Sequence, residues 1–134
     1  MKATVCILAI LAAFCAPLTH AEVGETDVID AIATKPGGTR AIMLLHQARQ
    51  WDAESLAMLQ RKLSFYSKII SSGSLPTQRP ELTGKSFRII VVYVHTPSPE
   101  ALQILGKAMG EMEARGVSLK WGTQRQVVEL AETP

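Results

Sequence analysis

The run Ile89–Val94 consists of six consecutive apolar residues and is flanked by turn-forming residues. A strand that is apolar on both faces belongs in the middle of a sheet, because a strand with one face in water alternates apolar and polar residues. The segment Ser86–His95 is therefore predicted to be a central strand. The segment Thr39–Ala48 is also largely apolar on both faces, and it is predicted to be a second central strand.

Two further strands are indicated by their flanking turns and by alternation. Thr26–Thr34 and Thr39–Ala48 flank a Pro-Gly-Gly turn, which is the pattern of a β-hairpin. Val117–Trp121 alternates apolar and polar residues, as a half-buried strand does. Beyond Gly122 the sequence leaves two alternatives open, a short additional strand or a frayed tail.

A first helix is predicted between Trp51 and Gly73. Asp52 is suited to cap its N-terminus, and Gly73 supplies the left-handed residue that commonly ends a helix. Its apolar residues recur at spacings of three and four, which gives a single stripe wide enough to pack on a sheet. The residues of this stripe are Leu56, Leu59, Leu63, Tyr66 and Ile70.

A second helix is predicted from the cap residue Ser98, with Pro99 at its first position, to Gly116. The segment between the first helix and the central strand, Pro76–Lys85, has two prolines and no periodicity and is predicted to be a loop. The buried stripe of the second helix is expected to contain Ala101, Leu105, Ala108 and Met112, with Leu102 and Met109 beside it.

The resulting order is β-β-α-β-α-β. Two helices packed on one face of a four-stranded sheet make the most economical arrangement, so the predicted fold class is α+β, a two-layer sandwich. The sheet is mixed if the second helix makes a right-handed crossover from the third strand to the fourth. We expect one domain over residues 22–134, with its core at about residues 27–121.

The N-terminal segment has the pattern of a bacterial Sec-type signal peptide. Lys2 is followed by the apolar run Val5–Leu18. Thr19 and Ala21 then place small residues at the −3 and −1 positions that signal peptidase recognises, so cleavage is expected after Ala21. The run is shorter than a membrane span, which needs about 20 apolar residues. Acylation at Cys15 is the lipoprotein alternative, and Phe14 argues against it. The expected location is the periplasm or the outside of the cell, with no membrane span after cleavage.

Removal of residues 1–21 would take away both cysteines, Cys6 and Cys15. The remaining chain could then form no disulfide, no thiol nucleophile and no cysteine-ligated metal site. The formal net charge is only +2, and it falls by one without Lys2. Such a balance is not the electrostatic footprint of a nucleic-acid-binding protein, so no nucleic-acid partner is expected.

Several residues also carry a resemblance to a known family. Trp51-Asp52, Leu59-Gln60, Lys62, Tyr66 and Gly73 occur here in an order and spacing that resemble an uncharacterised bacterial family, domain of unknown function 6572. The similarity extends over about residues 27–121. It implies that the chain shares the fold of this family, and it supports the α+β fold predicted above. It implies no activity, because none is established for the family.

The chain departs from the family pattern in two ways. Family members generally resemble cytoplasmic proteins, whereas this chain begins with a predicted export signal. The stretch before the tryptophan is usually acidic in the family, and here it reads His-Gln-Ala-Arg-Gln.

The sequence predicts no catalytic, cofactor-binding or metal-binding residues. His46 and His95 are the histidines outside the predicted signal peptide, whereas a zinc site needs three or four ligands, usually closely spaced. The acidic residues, such as Asp30 and Glu111, form no recognisable facing pair of carboxylates. Gly106 and Gly110 are expected to let the second helix approach the sheet, or another subunit, closely.

The candidate partner surface consists of Gln60, Lys62, Tyr66, His46 and Trp51. The predicted function is that of an exported, non-enzymatic protein-binding module, such as an inhibitor or an immunity protein, which acts on another envelope protein. A second interpretation is a structural homodimer that extends its sheet through Val117–Trp121. A third is a small periplasmic hydrolase that uses His46 or His95.

Overall fold

The computed structural model describes residues 30–35 and 37–133. The predicted signal peptide, Asp27 and the start of the predicted first strand lie outside these described residues. The centre of the fold is a four-stranded sheet in the order β1-β2-β3-β4. The strands are β1 Ala31–Thr34, β2 Arg40–Gln47, β3 Ser86–Tyr93 and β4 Ser118–Thr123.

The sheet is mixed, because β1 pairs antiparallel with β2, whereas β2, β3 and β4 run parallel to one another. This arrangement confirms the hairpin, the mixed sheet and the central positions of β2 and β3. It leaves β1 and β4 at the two edges of the sheet.

Within residues 30–35 and 37–133, four α-helices accompany the sheet. They are α1 Ala53–Ser72, α2 Ser74–Gln78, α3 Pro99–Glu113 and α4 Val127–Glu132. The long helices α1 and α3 connect successive parallel strands and pack on the same face of the sheet. The α+β class, the order β-β-α-β-α-β and the two helices on one face are thereby confirmed. None of the helices in the described part of the chain has the length and apolar content needed to cross a membrane.

The caps predicted for the long helices are present. The side chain of Asp52 accepts a hydrogen bond from the Ser55 amide at 2.8 Å, and Gly73 ends α1 with φ 72°. The side chain of Ser98 accepts one from the Ala101 amide at 3.1 Å. Each cap satisfies a backbone group that the helix itself leaves without a partner.

The main core lies between the sheet and the helices α1 and α3. Its fully buried residues include Met43, Leu59, Tyr66, Ile89, Val91, Leu105 and Leu119. Ala101 and Met112 on α3 are also buried, as predicted, whereas Leu102 is 46% exposed. Leu102, which is predicted beside the stripe, therefore contributes little to the buried face of α3.

The opposite face of the sheet carries a second, smaller core. The short helix α4 packs there, so the segment beyond Gly122 is neither an additional strand nor a frayed tail. The buried members of this core are Ala31, Ala33, Ile42, Leu44, Ile90, Val92 and Val127. A Cβ atom on Gly122 would lie 2.6 Å from Leu130 Cδ1 and 2.7 Å from Gln126 Oε1, so the glycine lets these two side chains pack closely over β4.

Two other predictions need correction. The segment predicted to be a loop, Pro76–Lys85, contains the end of α2 and the 3-10 helix Pro80–Leu82, because Leu75 and Leu82 are buried and anchor these turns. Gly106 and Gly110 do not provide a close approach to the sheet, since a Cβ atom on either would meet nothing within 4 Å.

Candidate functional site

Three of the five residues in the predicted partner surface meet around Asp30, just before β1. Lys62 forms an ion pair with Asp30 through its Nζ and the carboxylate Oδ1. The other carboxylate oxygen accepts a hydrogen bond from the His46 amide at 2.7 Å. The Tyr66 hydroxyl accepts one from the Asp30 amide at 2.9 Å and donates one to the Leu44 carbonyl at 2.8 Å. This network, Asp30, His46, Lys62 and Tyr66, ties α1 to the β1–β2 hairpin.

The ion pair in the network is almost completely buried, with side-chain exposures of 2% for Lys62 and 7% for Asp30. Burial of two charges costs free energy that is recovered only where each charge has a close partner and further hydrogen bonds. Asp30 meets that condition, because both of its carboxylate oxygens have partners. The pair therefore has a structural role, and neither charge is accessible to a binding partner in this conformation.

Burial also keeps the two aromatic members of the network neutral. Burial lowers the pKa of His46, and the neighbouring carboxylate of Asp30 opposes this only in part. Burial, followed by the negative charge of Asp30, raises the pKa of Tyr66 well above its ordinary value. Tyr66 therefore keeps its proton, which it donates to the Leu44 carbonyl.

Trp51, the fourth predicted residue, lies at the carboxyl edge of the parallel strands. Its indole Nε1 donates a hydrogen bond to the His95 carbonyl at 2.7 Å, and its ring packs edge-on against Tyr93 at a centroid distance of 6.4 Å. Gln50 Nε2 lies 3.3 Å from Nδ1 of the same histidine. These contacts join the segments that follow β2 and β3, which explains the position of Trp51 without a ligand.

The histidines thus belong to separate environments, His46 in the buried network and His95 at the carboxyl edge. Across residues 30–35 and 37–133, no group of three or more His, Cys, Asp or Glu side chains is placed to hold a metal ion.

Gln60, the fifth predicted residue, lines an open groove between the outer surfaces of α1 and α3, with a volume of about 650 Å³. We call it the α1–α3 groove. Its apolar lining consists of Leu63, Ile104, Ala108 and Met112, and its charged lining consists of Lys68, Lys107, Arg115 and Glu111. Three cations thus face one carboxylate. Arg115, in the turn that follows α3, also donates a hydrogen bond to Ser67 Oγ on α1 at 2.7 Å.

The five predicted residues therefore do not form one surface. Lys62 and Tyr66 are buried, which contradicts their placement on a partner surface. Lys62 is buried because it forms an ion pair with Asp30, and Tyr66 is buried because it belongs to the apolar stripe of α1. The burial of Lys62 could have been predicted in part from its spacing along the helix. Lys62 lies three positions after Leu59 and four before Tyr66, which places it on the same side of the helix as the apolar stripe.

A comparison with known protein families identifies one family. A model of a family of unknown function, DUF6572, matches residues 21–125, which is most of the chain. The chain belongs to this family. The match includes the sheet and both long helices and ends before α4. No curated protein and no solved structure matches the chain.

Proposed function

We propose that this DUF6572 protein is an exported, non-enzymatic protein-binding domain that holds an acidic segment of another protein in the α1–α3 groove. The observation that carries the proposal is the groove itself, which combines an apolar lining with an excess of positive charge. A peptide that fits such a groove presents apolar side chains to the lining and carboxylates to the rim.

The charges favour a partner of this kind over a neutral one. Lys68 lies on α1, whereas Lys107 and Arg115 belong to α3 or follow it, so positive charge lines both sides of the groove. Glu111 supplies the single opposing charge. Complementary charge mainly accelerates the encounter and excludes wrong partners, and the apolar lining supplies the area that is buried on binding.

Export is part of the proposal, and it rests on the sequence pattern of residues 1–21. Expression in a bacterium followed by N-terminal sequencing of the envelope fraction tests it directly. A mature N-terminus at Glu22 supports export, whereas a full-length chain recovered from the cytoplasm contradicts it.

Binding in the groove is tested by affinity capture from the envelope extract of the native host, with wild-type protein and two charge-reversal variants. Lys68→Glu combined with Lys107→Glu inverts the charge of the groove. Arg61→Glu combined with Arg125→Glu is the matched control, because it reverses two exposed cations that do not line the groove.

The proposal predicts that one protein is retained stoichiometrically by the wild type and by the control, and is lost from the groove variant. Direct titration of that protein should then show an affinity at least tenfold lower for the groove variant. Equal capture by both variants would place the binding surface elsewhere. Recovery of the bait alone would also contradict the proposal.

Self-assembly is the second candidate, because β4 is an edge strand that pairs only with β3 among the described residues. An unpaired strand edge can accept a strand from another copy. Sedimentation equilibrium over a wide range of concentrations tests this candidate. A constant monomer mass rules it out, whereas a transition to twice that mass supports it.

A further inference from the structure

A second cavity lies on the opposite face of the sheet, between α4 and the β1–β2 hairpin, with a volume of about 490 Å³. We call it the α4 cavity. Ligand pockets in proteins typically have volumes of about 300–1,000 Å³ and mostly apolar walls. The walls here follow this pattern, since the apolar lining residues are Ala33, Ile42, Leu44, Val127, Val128 and Ala131.

Three charged side chains also line the α4 cavity, and they leave one positive charge in excess. Lys35 Nζ and Glu132 Oε2 are 3.0 Å apart and neutralise each other. The third is Arg40, whose Nη1 donates hydrogen bonds to the carbonyls of Ala131 at 2.8 Å and Thr133 at 3.0 Å. Its Nε and Nη2 groups donate to no other side chain or carbonyl within residues 30–35 and 37–133, so the guanidinium retains hydrogen-bonding capacity.

We propose that the α4 cavity binds a free long-chain carboxylate, with its hydrocarbon tail on the apolar walls and its carboxylate on Arg40. An uncharged apolar ligand would leave the charge of Arg40 without a partner, and a cationic amphiphile would be repelled by it. A carboxylate suits the guanidinium because its two oxygens match the paired N–H groups. This site is separate from the α1–α3 groove and does not depend on the function proposed for that groove.

Val128 provides a direct way to test the tail contact. It lines the cavity and is 59% exposed, so a larger or charged side chain at this position does not disturb the core. Val94 is the matched control, because it is 69% exposed and is absent from the cavity lining. Val128→Glu therefore places a carboxylate at the proposed tail site, and Val94→Glu places the same group elsewhere.

The experiment is a calorimetric titration of purified protein with decanoate, dodecanoate and dodecylammonium below their micelle concentrations. Affinity should increase by about fourfold for each added methylene, which is the gain expected when that group is buried. Dodecylammonium should bind at least tenfold more weakly than dodecanoate. Val128→Glu should weaken dodecanoate binding at least tenfold, and Val94→Glu should leave it unchanged.

Four results of the titrations would overturn the proposal. These are no binding of dodecanoate by the wild type, equal losses in the two valine variants, equal affinity for dodecylammonium, and binding by Val128→Glu as strong as that of the wild type. A dimer that Val128→Glu dissociates would also overturn it, since the cavity would then be an interface between two copies. Retention on anionic phospholipid vesicles but no binding of free dodecanoate would assign the surface to a membrane instead.

Discussion

The two faces of the sheet are covered in different ways. On the face that carries α1 and α3, large apolar side chains such as Leu59 and Leu105 are fully buried, and the ion pair of Asp30 with Lys62 is enclosed beside them. On the opposite face, a smaller group of buried apolar residues, among them Ile42, Leu44 and Ile90, meets a helix of only six residues. The first face is held mainly by buried area, and the second depends more on directional hydrogen bonds.

Arg88 shows how the second face is held. It is only 3% exposed, and its Nη1 donates hydrogen bonds to the carbonyls of Leu130 and Thr133, both at 2.6 Å. Burial, assisted by the nearby Arg40, lowers its pKa. These carbonyls end α4, where the helix dipole is negative and favours a cation. A helix this short is not stable alone, so its position depends on such contacts.

The largest effect is expected from removal of one charge of the buried ion pair. Lys62→Ala should lower the free energy of unfolding by about 3–5 kcal/mol, because it leaves Asp30 buried without its partner. Urea denaturation followed by circular dichroism measures the change. Arg61→Ala, the exposed neighbour, is the control and should change stability by no more than about 0.5 kcal/mol. Equal effects of the two substitutions would contradict the structural role of the ion pair.

A pair of leucine substitutions compares the two faces directly. Leu105→Ala should cost about 2–5 kcal/mol, because it opens a cavity in a fully buried position of the main core. Leu130→Ala on α4 should cost less than about 2 kcal/mol, because that side chain is only half-buried. The same denaturation experiment measures both. If Leu130→Ala were as costly as Leu105→Ala, the face that carries α4 would be held by buried area as much as the face that carries α1 and α3.

The two faces of the sheet also differ in how much of their structure could be predicted from the sequence. The helices α1 and α3 have apolar residues at helical spacing, and the strands β2 and β3 are nearly continuous apolar runs. Each of these elements could therefore be predicted from its own segment of the sequence. The helix α4 has too few residues to show a period, and its position depends on Arg40, Arg88 and Gly122, which are distant in the sequence. The burial of Lys62 likewise depended on Asp30, which lies on another element. Grooves formed between two helices have no local signature at all.

A smaller effect is expected from pH, through His46 at the margin of the buried network. Because burial lowers its pKa, the folded protein takes up a proton at this residue less readily than the unfolded chain does. Its contribution to stability is therefore present above the ordinary pKa of 6.5 and is lost as the pH falls below that value. The slope cannot exceed about 1.4 kcal/mol per pH unit for one proton.

Denaturation of the wild type and of His46→Gln between pH 7.5 and pH 5 measures this dependence. The wild type should lose more stability than the variant over that interval. Parallel curves for the two proteins would show that His46 titrates alike in the folded and unfolded states.

The smallest effects concern the outer side of α3, where Gly106 and Gly110 lie. A Cβ atom at either position would meet nothing within 4 Å, so alanine adds no clash and removes the flexibility that glycine gives the unfolded chain. Each substitution should raise the free energy of unfolding by about 0.5–1 kcal/mol. Gly73→Ala is the contrasting control, because its φ of 72° is unfavourable for alanine and stability should fall.

The two glycine substitutions also test whether this side of α3 contacts another copy. If both raise stability and the sedimentation mass does not change, α3 faces solvent there and the glycines serve no close contact in the monomer or between copies. If they lower the stability of an associated form while stabilising the isolated chain, the glycines allow close approach between copies. The face of the sheet that carries α1 and α3 would then contribute to an interface as well as to the core.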